Sequence, residues 1–186
     1  MINASKYKTL LTVDAPIYLQ PQREFWKNCT LEKQGEAVIA INSTLQKKAV
    51  RITPQSISEV FQLDGQEGTN SFPKNELKID FIERGYADTM LKRDTLEKGF
   101  FPPATRFLFH TFLVCISNKT TSFNEISLKI QNLGYAILQG ENFNYSQVIF
   151  NDLVKNVETK SFLLFPRFLS YYFEKKFSKN DIAVIN

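Results

Sequence analysis

The feature that most constrains the fold of this chain is an apolar run near its middle, Phe107 to Ile116, interrupted only by His110 and Thr111. A segment of this composition is stable in water only when it is buried. It spans ten residues, whereas a membrane-spanning helix needs about 20. We therefore expect no membrane segment but a core helix, apolar on nearly all sides, that begins after the break at Pro102-Pro103.

Around this helix we expect a mainly α, compact domain of about six helices with a small N-terminal β-hairpin. A chain of 186 residues is long enough to bury a core of its own. We assign residues 21–177 to this domain, residues 1–20 to an N-terminal arm or loosely attached strand, and residues 178–186 to a C-terminal tail. Seventeen phenylalanines against one tryptophan predict a Phe-rich interior.

The hairpin is predicted from two runs rich in β-branched and aliphatic residues, Glu36–Asn42 and Lys47–Ile52, which the turn-prone stretch "STLQ" separates. Thr53-Pro54 then predicts the start of a helix, because threonine caps free amides and proline suits the first turn. Apolar periodicity and end signals predict the remaining helices. These lie within Pro21–Cys29, within Lys74–Arg84 before Gly85, from Ser122 to Gly140, within Asn144–Glu158, and after Pro166. Ser122 and Glu125 have the spacing of a capping box.

The positive charges are the candidate contacts for a partner. The net charge is +4, and the basic residues are scattered, which is typical of a solvated surface, whereas nucleic-acid-binding domains usually cluster their Lys and Arg on one face or tail. The last helix also carries Tyr171 and Tyr172 among its basic residues, a pattern that suits single-strand binding, although the same spacing suits a core. The candidate nucleic-acid contacts are Lys47, Lys48, Arg51, Arg167, Lys175 and Lys176.

His110 is the one histidine of the chain, and a catalytic role would require a partner group. Cys115 follows five residues later, which at 100° per residue turns its side chain about 140° away on a helix. Arg106 and His110 share a narrow polar strip instead. We expect this strip to reach solvent or to hydrogen-bond a neighbouring loop.

The sequence predicts neither a cofactor nor a metal. One histidine and two distant cysteines, Cys29 and Cys115, do not supply the four ligands of a structural zinc site. Gly65 and Gly68 lack the residues of a phosphate-binding loop, and an exposed helix face explains Asp80 and Glu83. Free, partly buried thiols and an N-terminus without an apolar signal core predict an intracellular protein, in cytoplasm or nucleus, that is not secreted.

Several sequence blocks together resemble a known family. In order they are "EFWKNCTLE", "VRITPQSISEVFQLDGQEGTNSFP", "ERGY", "FFPPATRFLFHTFLVCISNKTTSFNE", "FNYSQVIFNDLVKN" and "FPRFLSYYF". The chain resembles the plant transposon protein domain family, which often accompanies copia-type retrotransposon polyproteins. The resemblance covers Phe25 to Phe173. It departs at Pro102–Thr105, where family members have a Ser-Pro-Gln-Trp-like stretch, and at Phe123, where they have Trp.

The resemblance implies an origin in a mobile element and brings no catalytic residues with it. We therefore expect a non-catalytic accessory domain of a plant retrotransposon-derived protein, which binds itself, other retroelement proteins or nucleic acid. Two alternatives stay open. One is a divergent metal-dependent nuclease or transposase-like enzyme whose carboxylates gather in space, and the other is a domesticated host adaptor that recruits a partner through an apolar groove.

Overall fold

The computed structural model describes residues 8–13, 15–63, 68–87, 96–115, 124–159 and 165–177. The prediction of a mainly α fold is confirmed, although these ranges contain eight α-helices rather than about six. The helices are α1 Lys8–Leu11, α2 Leu19–Lys27, α3 Pro54–Phe61, α4 Lys74–Glu83, α5 Pro103–Cys115, α6 Leu128–Gln139, α7 Tyr145–Thr159 and α8 Pro166–Lys176. The strands are β1 Thr30–Gln34, β2 Ala37–Leu45, β3 Lys48–Ile52, β4 Leu96–Glu97 and β5 Glu125–Ile126.

The predicted hairpin is present as β2 and β3, but it is part of a larger sheet. Strand β1 pairs antiparallel with β2, which makes a three-stranded sheet in the order β1-β2-β3. Strand β2 also runs through most of the stretch predicted as the turn. The chain reverses instead at Gln46 and Lys47, whose φ angles of 50° and 64° are those of a tight two-residue hairpin turn.

The N-terminal segment differs from the arm or strand that we expected. Its described part contains α1, and Leu10, Val13 and Ala15 are buried in the core. Leu10 is 1% exposed, so this segment contributes to packing. The predicted tail, 178–186, lies outside the described residues.

The central apolar helix is confirmed as α5, with one difference. Phe109, Phe112 and Leu113 are buried, but Phe107 is 63% exposed. Phe107 follows Pro103 by one helical turn and lies on the side of α5 opposite Phe112. The helix is therefore buried on one side and open to solvent on the other.

The predicted start of the next helix is wrong. Glu125 lies in β5, where it pairs with Glu97 of β4, and α6 begins only at Leu128. Ser122, the other half of the predicted capping box, lies outside the described residues. The predicted end is confirmed, because Gly140 has a φ of 76° and closes α6 in the left-handed conformation.

Aromatic rings fill the interior, as the composition predicts. Phe109 lies 4.8 Å from Phe101 and 5.6 Å from Phe81, measured between ring centroids. In a second group, Phe61 of α3 stacks on Phe168 of α8 at 4.1 Å. These contacts join helices from distant parts of the chain.

Helix α8 is held firmly against the N-terminal half. The Tyr172 hydroxyl lies 2.8 Å from Ser56 Oγ and 3.2 Å from the carbonyl oxygen of Arg51. On the other side, the Gln22 side-chain amide of α2 donates to Ser170 Oγ at 2.9 Å. The outward face of α8 is consequently displayed on a rigid support.

Candidate nucleic-acid interface

Two of the predicted nucleic-acid contacts, Arg167 and Lys175, lie on the outward face of α8 with Tyr171 between them. Arg167, Tyr171 and Lys175 are spaced by four, which places them along one side of the helix. We call these three residues the α8 stripe. Arg167 and Lys175 are exposed and Tyr171 is half-buried. The stripe exists because the other side of α8 is apolar and enters the core with Phe168, Leu169, Tyr172 and Phe173.

Tyr171 connects the stripe to the core. Its ring lies 5.3 Å from that of Phe61, between centroids, and the Lys175 ammonium lies 5.2 Å from the centroid of the Tyr171 ring. A cation at this distance from an aromatic face is attracted to it. The contact holds a positive charge beside a partly exposed ring, which is the combination that single-strand binding proteins use.

Lys176 follows Lys175 but points elsewhere. It is nine residues from Arg167, which turns it to the opposite side of the helix. Its ammonium lies 3.9 Å from a carboxylate oxygen of Glu59, and both side chains are exposed. Exposed pairs of this kind contribute little stability. A shallow cleft of about 250 Å³ lies beside this pair. It is lined by Lys176, Glu59, Lys175, Val60 and Gln62.

The basic residues of the hairpin form a second, separate group. Lys47 and Lys48 are exposed at the β2–β3 turn, roughly 10 Å along β3 from Arg51. Arg51 is already engaged, since its Nη2 donates to Glu32 Oε1 at 2.9 Å and its Nε to Oε2 at 3.3 Å. The Arg51 guanidinium lowers the pKa of the Glu32 carboxyl, and the Asn42 amide helps. The Arg51 charge is therefore partly neutralised, and the hairpin is the weaker candidate.

The polar strip on α5 hydrogen-bonds a neighbouring loop, as expected. Arg106 donates to the carbonyl oxygens of Gly99, at 3.1 Å, and Phe101, at 3.0 Å. His110 Nδ1 lies 3.1 Å from the ammonium of Lys98. Sequence reasoning did not anticipate Lys98, because it reaches α5 only through the 3₁₀ turn Lys98–Phe100.

Of the two carboxylates predicted on an exposed helix face, Glu83 is exposed as predicted but Asp80 is not. Asp80 is buried rather than on an exposed face: it accepts hydrogen bonds from Arg84 Nε at 2.8 Å and from the Gln139 amide at 2.5 Å. Within the described ranges, no three His, Cys, Asp or Glu side chains form a group that could hold a metal ion. No helix in the same ranges is both long enough and apolar enough to span a membrane.

The expectation of a free, partly buried thiol is confirmed for Cys29. It is unpaired and half-buried, and its Sγ donates to the Phe25 carbonyl oxygen at 3.1 Å. Burial raises the pKa of this thiol to about 12. The side chain of Cys115 lies outside the described part of the chain.

Comparison with known proteins adds no relative to this description. Neither a protein-family model, nor a curated protein, nor a solved structure matches the chain. Function is therefore inferred from the residues and their geometry.

Proposed function

We propose that this chain is a non-catalytic binding domain of a plant retrotransposon-derived, intracellular protein, and that its α8 stripe contacts single-stranded nucleic acid. The observation that carries the proposal is the alignment of Arg167, Tyr171 and Lys175 on the outward face of a helix whose other face is buried. The order of the sequence blocks supports the retroelement origin. The unpaired Cys29 thiol suits a reducing compartment.

The chemistry of the stripe fits a flexible, negatively charged strand. Arg167 and Lys175 are eight residues apart, which is about 12 Å along the helix axis, so they would contact different phosphates. Tyr171 lies between them and offers a partly exposed ring on which any base can stack. None of these contacts reads base edges, so we expect binding with little sequence preference.

The packing of α8 against its neighbouring helices holds the α8 stripe in a fixed position. Binding groups act best when the element that carries them is already ordered. Phe173 packs on Phe25 of α2 at 5.4 Å and Phe168 stacks on Phe61 of α3. A strand that binds here meets a helix held in place by two neighbouring helices.

Self-association is a second candidate function, and α4 carries the observation that favours it. Ile79 and Ile82 on this helix are 56% and 40% exposed, and adjacent exposed isoleucines favour a protein contact. Light scattering coupled to size exclusion would show a dimer if this surface associates. Ile79→Glu would then return the protein to a monomer, while a monomeric wild type at every concentration would exclude this candidate.

Fluorescence anisotropy with labelled oligo-dT and oligo-rU tests the nucleic-acid proposal. We expect binding at low salt that weakens as salt rises, with a slope of about −0.7 per phosphate contact for a single strand. The double variant Arg167→Ala/Lys175→Ala removes two cations and should weaken binding and flatten this slope by one to two contacts' worth, about 0.7–1.4. Tyr171→Ala should weaken binding by about five-fold or more through lost stacking.

The matched control is Lys155→Ala, which removes an exposed cation from α7. It should leave both affinity and salt slope near the wild-type values. If Lys155→Ala weakens binding as much per charge as the stripe variants, net charge rather than the stripe causes the binding. If the wild type shows no affinity at low salt, the proposal is wrong.

A further inference from the structure

Phe107 is the most exposed of the large apolar side chains that the structure describes. It projects from α5 on the side opposite the buried Phe112, and its side chain is 63% exposed. Within the described ranges no aromatic ring packs against it. The flat apolar face of this phenylalanine is therefore accessible to a ligand that binds at α5.

Cationic and polar groups surround this ring. Pro103, Arg106 and His110 lie on the same side of α5, and Lys98 reaches them from the preceding 3₁₀ turn. Together with Phe107 they line an open cleft of about 310 Å³. This volume is at the lower end of the range of small-molecule sites, about 300–1,000 Å³.

Arg106 and Lys98, the two cations of the cleft, are already held in position by hydrogen bonds within the protein. Arg106 uses Nε and Nη2 to bind the carbonyl oxygens of Gly99 and Phe101, which leaves its Nη1 outside these bonds. Lys98 Nζ lies 3.1 Å from His110 Nδ1. Because an ammonium group only donates, Nδ1 accepts in this pair, and Lys98 retains two further N–H donors.

We propose that this cleft binds a nucleotide, with its phosphate on Lys98 and Arg106 and its base stacked on Phe107. Phosphate is an anion that the Nη1 group of Arg106 and the Lys98 ammonium can hold together, since both donate charge-assisted hydrogen bonds. A nucleobase is the planar group that stacks on an exposed ring with little regard to its identity. At about 310 Å³ the cleft has room for one small ligand and not for several. This site lies on α5 and goes beyond the function proposed for the α8 stripe.

A ¹H–¹⁵N NMR titration of the full chain tests the site. The ligands are AMP, adenosine, inorganic phosphate and phosphotyrosine, each added separately. We expect AMP to shift amides within 98–110 at lower concentration than adenosine or phosphate, because it alone combines both groups. A 5′-phosphorylated oligonucleotide, compared with AMP and with its unphosphorylated form, distinguishes a strand end from a free nucleotide.

Paired variants separate stacking from charge. Phe107→Leu keeps the apolar area but removes the ring, and it should weaken AMP binding by about five-fold or more. Phe107→Tyr keeps the ring and should preserve binding. Its binding would show that a loss in Phe107→Leu comes from the missing ring and not from a substitution at this position disturbing the fold. Lys98→Gln should weaken AMP binding by about ten-fold or more, since ten-fold is the lower end of the effect of losing a hydrogen bond to a charged group. The control Lys155→Gln, on α7, should change nothing.

Several results would overturn the proposal. AMP shifts that fall outside 98–110, or their absence at every concentration, would remove the site. Phosphate that binds as tightly as AMP, with Phe107→Leu unaffected, would show an anion site without a base. Phosphotyrosine that binds more tightly than AMP would assign the cleft to a phosphorylated protein.

Discussion

Cys29 follows α2, where the side chains around it shield its thiol from water. Burial raises its pKa to about 12, against about 8.5 for an exposed cysteine. At pH 8 the thiolate fraction of Cys29 is then about one in ten thousand. The thiol stays protonated at neutral pH and is a structural rather than a reactive group.

We therefore predict that iodoacetamide alkylates Cys29 at least ten-fold more slowly in the native chain than in the denatured chain at pH 8. The rate in the native chain should rise about ten-fold per pH unit above pH 8, because the thiolate fraction rises by that factor below a pKa of about 12. Peptide mass spectrometry reports Cys29 separately from Cys115. Equal rates in native and denatured protein would contradict the burial of this thiol.

Gly134 of α6 lies directly against the ring of Phe109. A Cβ at this position would stand 2.6 Å from Phe109 Cζ, closer than van der Waals contact allows. The ring has little room to withdraw, because Phe81 and Phe101 pack around it. The close approach of α5 and α6 thus depends on the missing side chain.

Gly134→Ala is expected to lower the free energy of unfolding by about 1–2 kcal/mol, because overpacking outweighs the better helix propensity of alanine. Gly99→Ala is the control. Its Cβ would meet only Asn124 Oδ1, at 3.8 Å, so we expect a change within about 0.5 kcal/mol. Urea denaturation measures both, and an unchanged or raised stability of Gly134→Ala would show that the helices are farther apart.

At the scale of elements, Tyr172 joins α8 to the end of β3 and the start of α3. Burial raises the pKa of its hydroxyl, which stays protonated and hydrogen-bonds Ser56 Oγ. Tyr172→Phe should cost about 1 kcal/mol of stability. Tyr171→Phe makes the same chemical change one residue earlier, on the half-exposed side, and should be neutral. Thermal unfolding compares the two, and equal effects would contradict the contact.

Elements with strong local signals were predictable from sequence. Thr53 caps α3 by accepting from the Ser56 amide at 3.0 Å, and Pro54 begins the helix, as the pattern indicates. In α7, Ile149, Phe150 and Leu153 face the core at the spacing seen in the sequence. In these cases the cap and the periodicity are properties of neighbouring residues, so no distant partner is needed to define them.

Elements defined by distant partners were not predictable in the same way. Strand β1, "TLEKQ", is largely polar and forms because β2 pairs with it. Glu125 has the spacing of a helix cap, yet the pairing of Leu96 with Ile126 draws this segment into a strand. A ladder that buries Ile126 fully outweighs a local cap, which contributes about 1 kcal/mol.

At the scale of the whole molecule, the local features of the candidate site were predictable from the sequence and its long-range contacts were not. Arg167 and Lys175 were predictable as one side of a helix, because their spacing is local. The engagement of Arg51 by Glu32 and the approach of Lys98 to His110 depend on residues 19 and 12 positions away in the chain. Such pairs follow from the tertiary fold, which local patterns in a single sequence do not specify.

As a whole, the molecule combines a rigid aromatic core with two basic, partly aromatic surfaces. The α8 stripe is straight and exposed, which suits a strand, whereas the cleft at Phe107 is small, which suits one nucleotide. The two surfaces lie on different helices and have different cations. Substitutions in the α8 stripe are therefore expected to leave nucleotide binding at Phe107 unchanged, and substitutions in the cleft to leave strand binding at α8 unchanged. The two surfaces can be tested independently.

Ultraviolet cross-linking of a labelled single strand, followed by tryptic peptide mapping, tests the central claim most directly. Trypsin cuts after Arg167 and Lys175, so Tyr171 lies within the peptide Phe168–Lys175. We predict a cross-link in this peptide that disappears at high salt and is lost in Tyr171→Ala. Cross-links confined to peptides outside α8 would contradict the claim that the α8 stripe holds the strand.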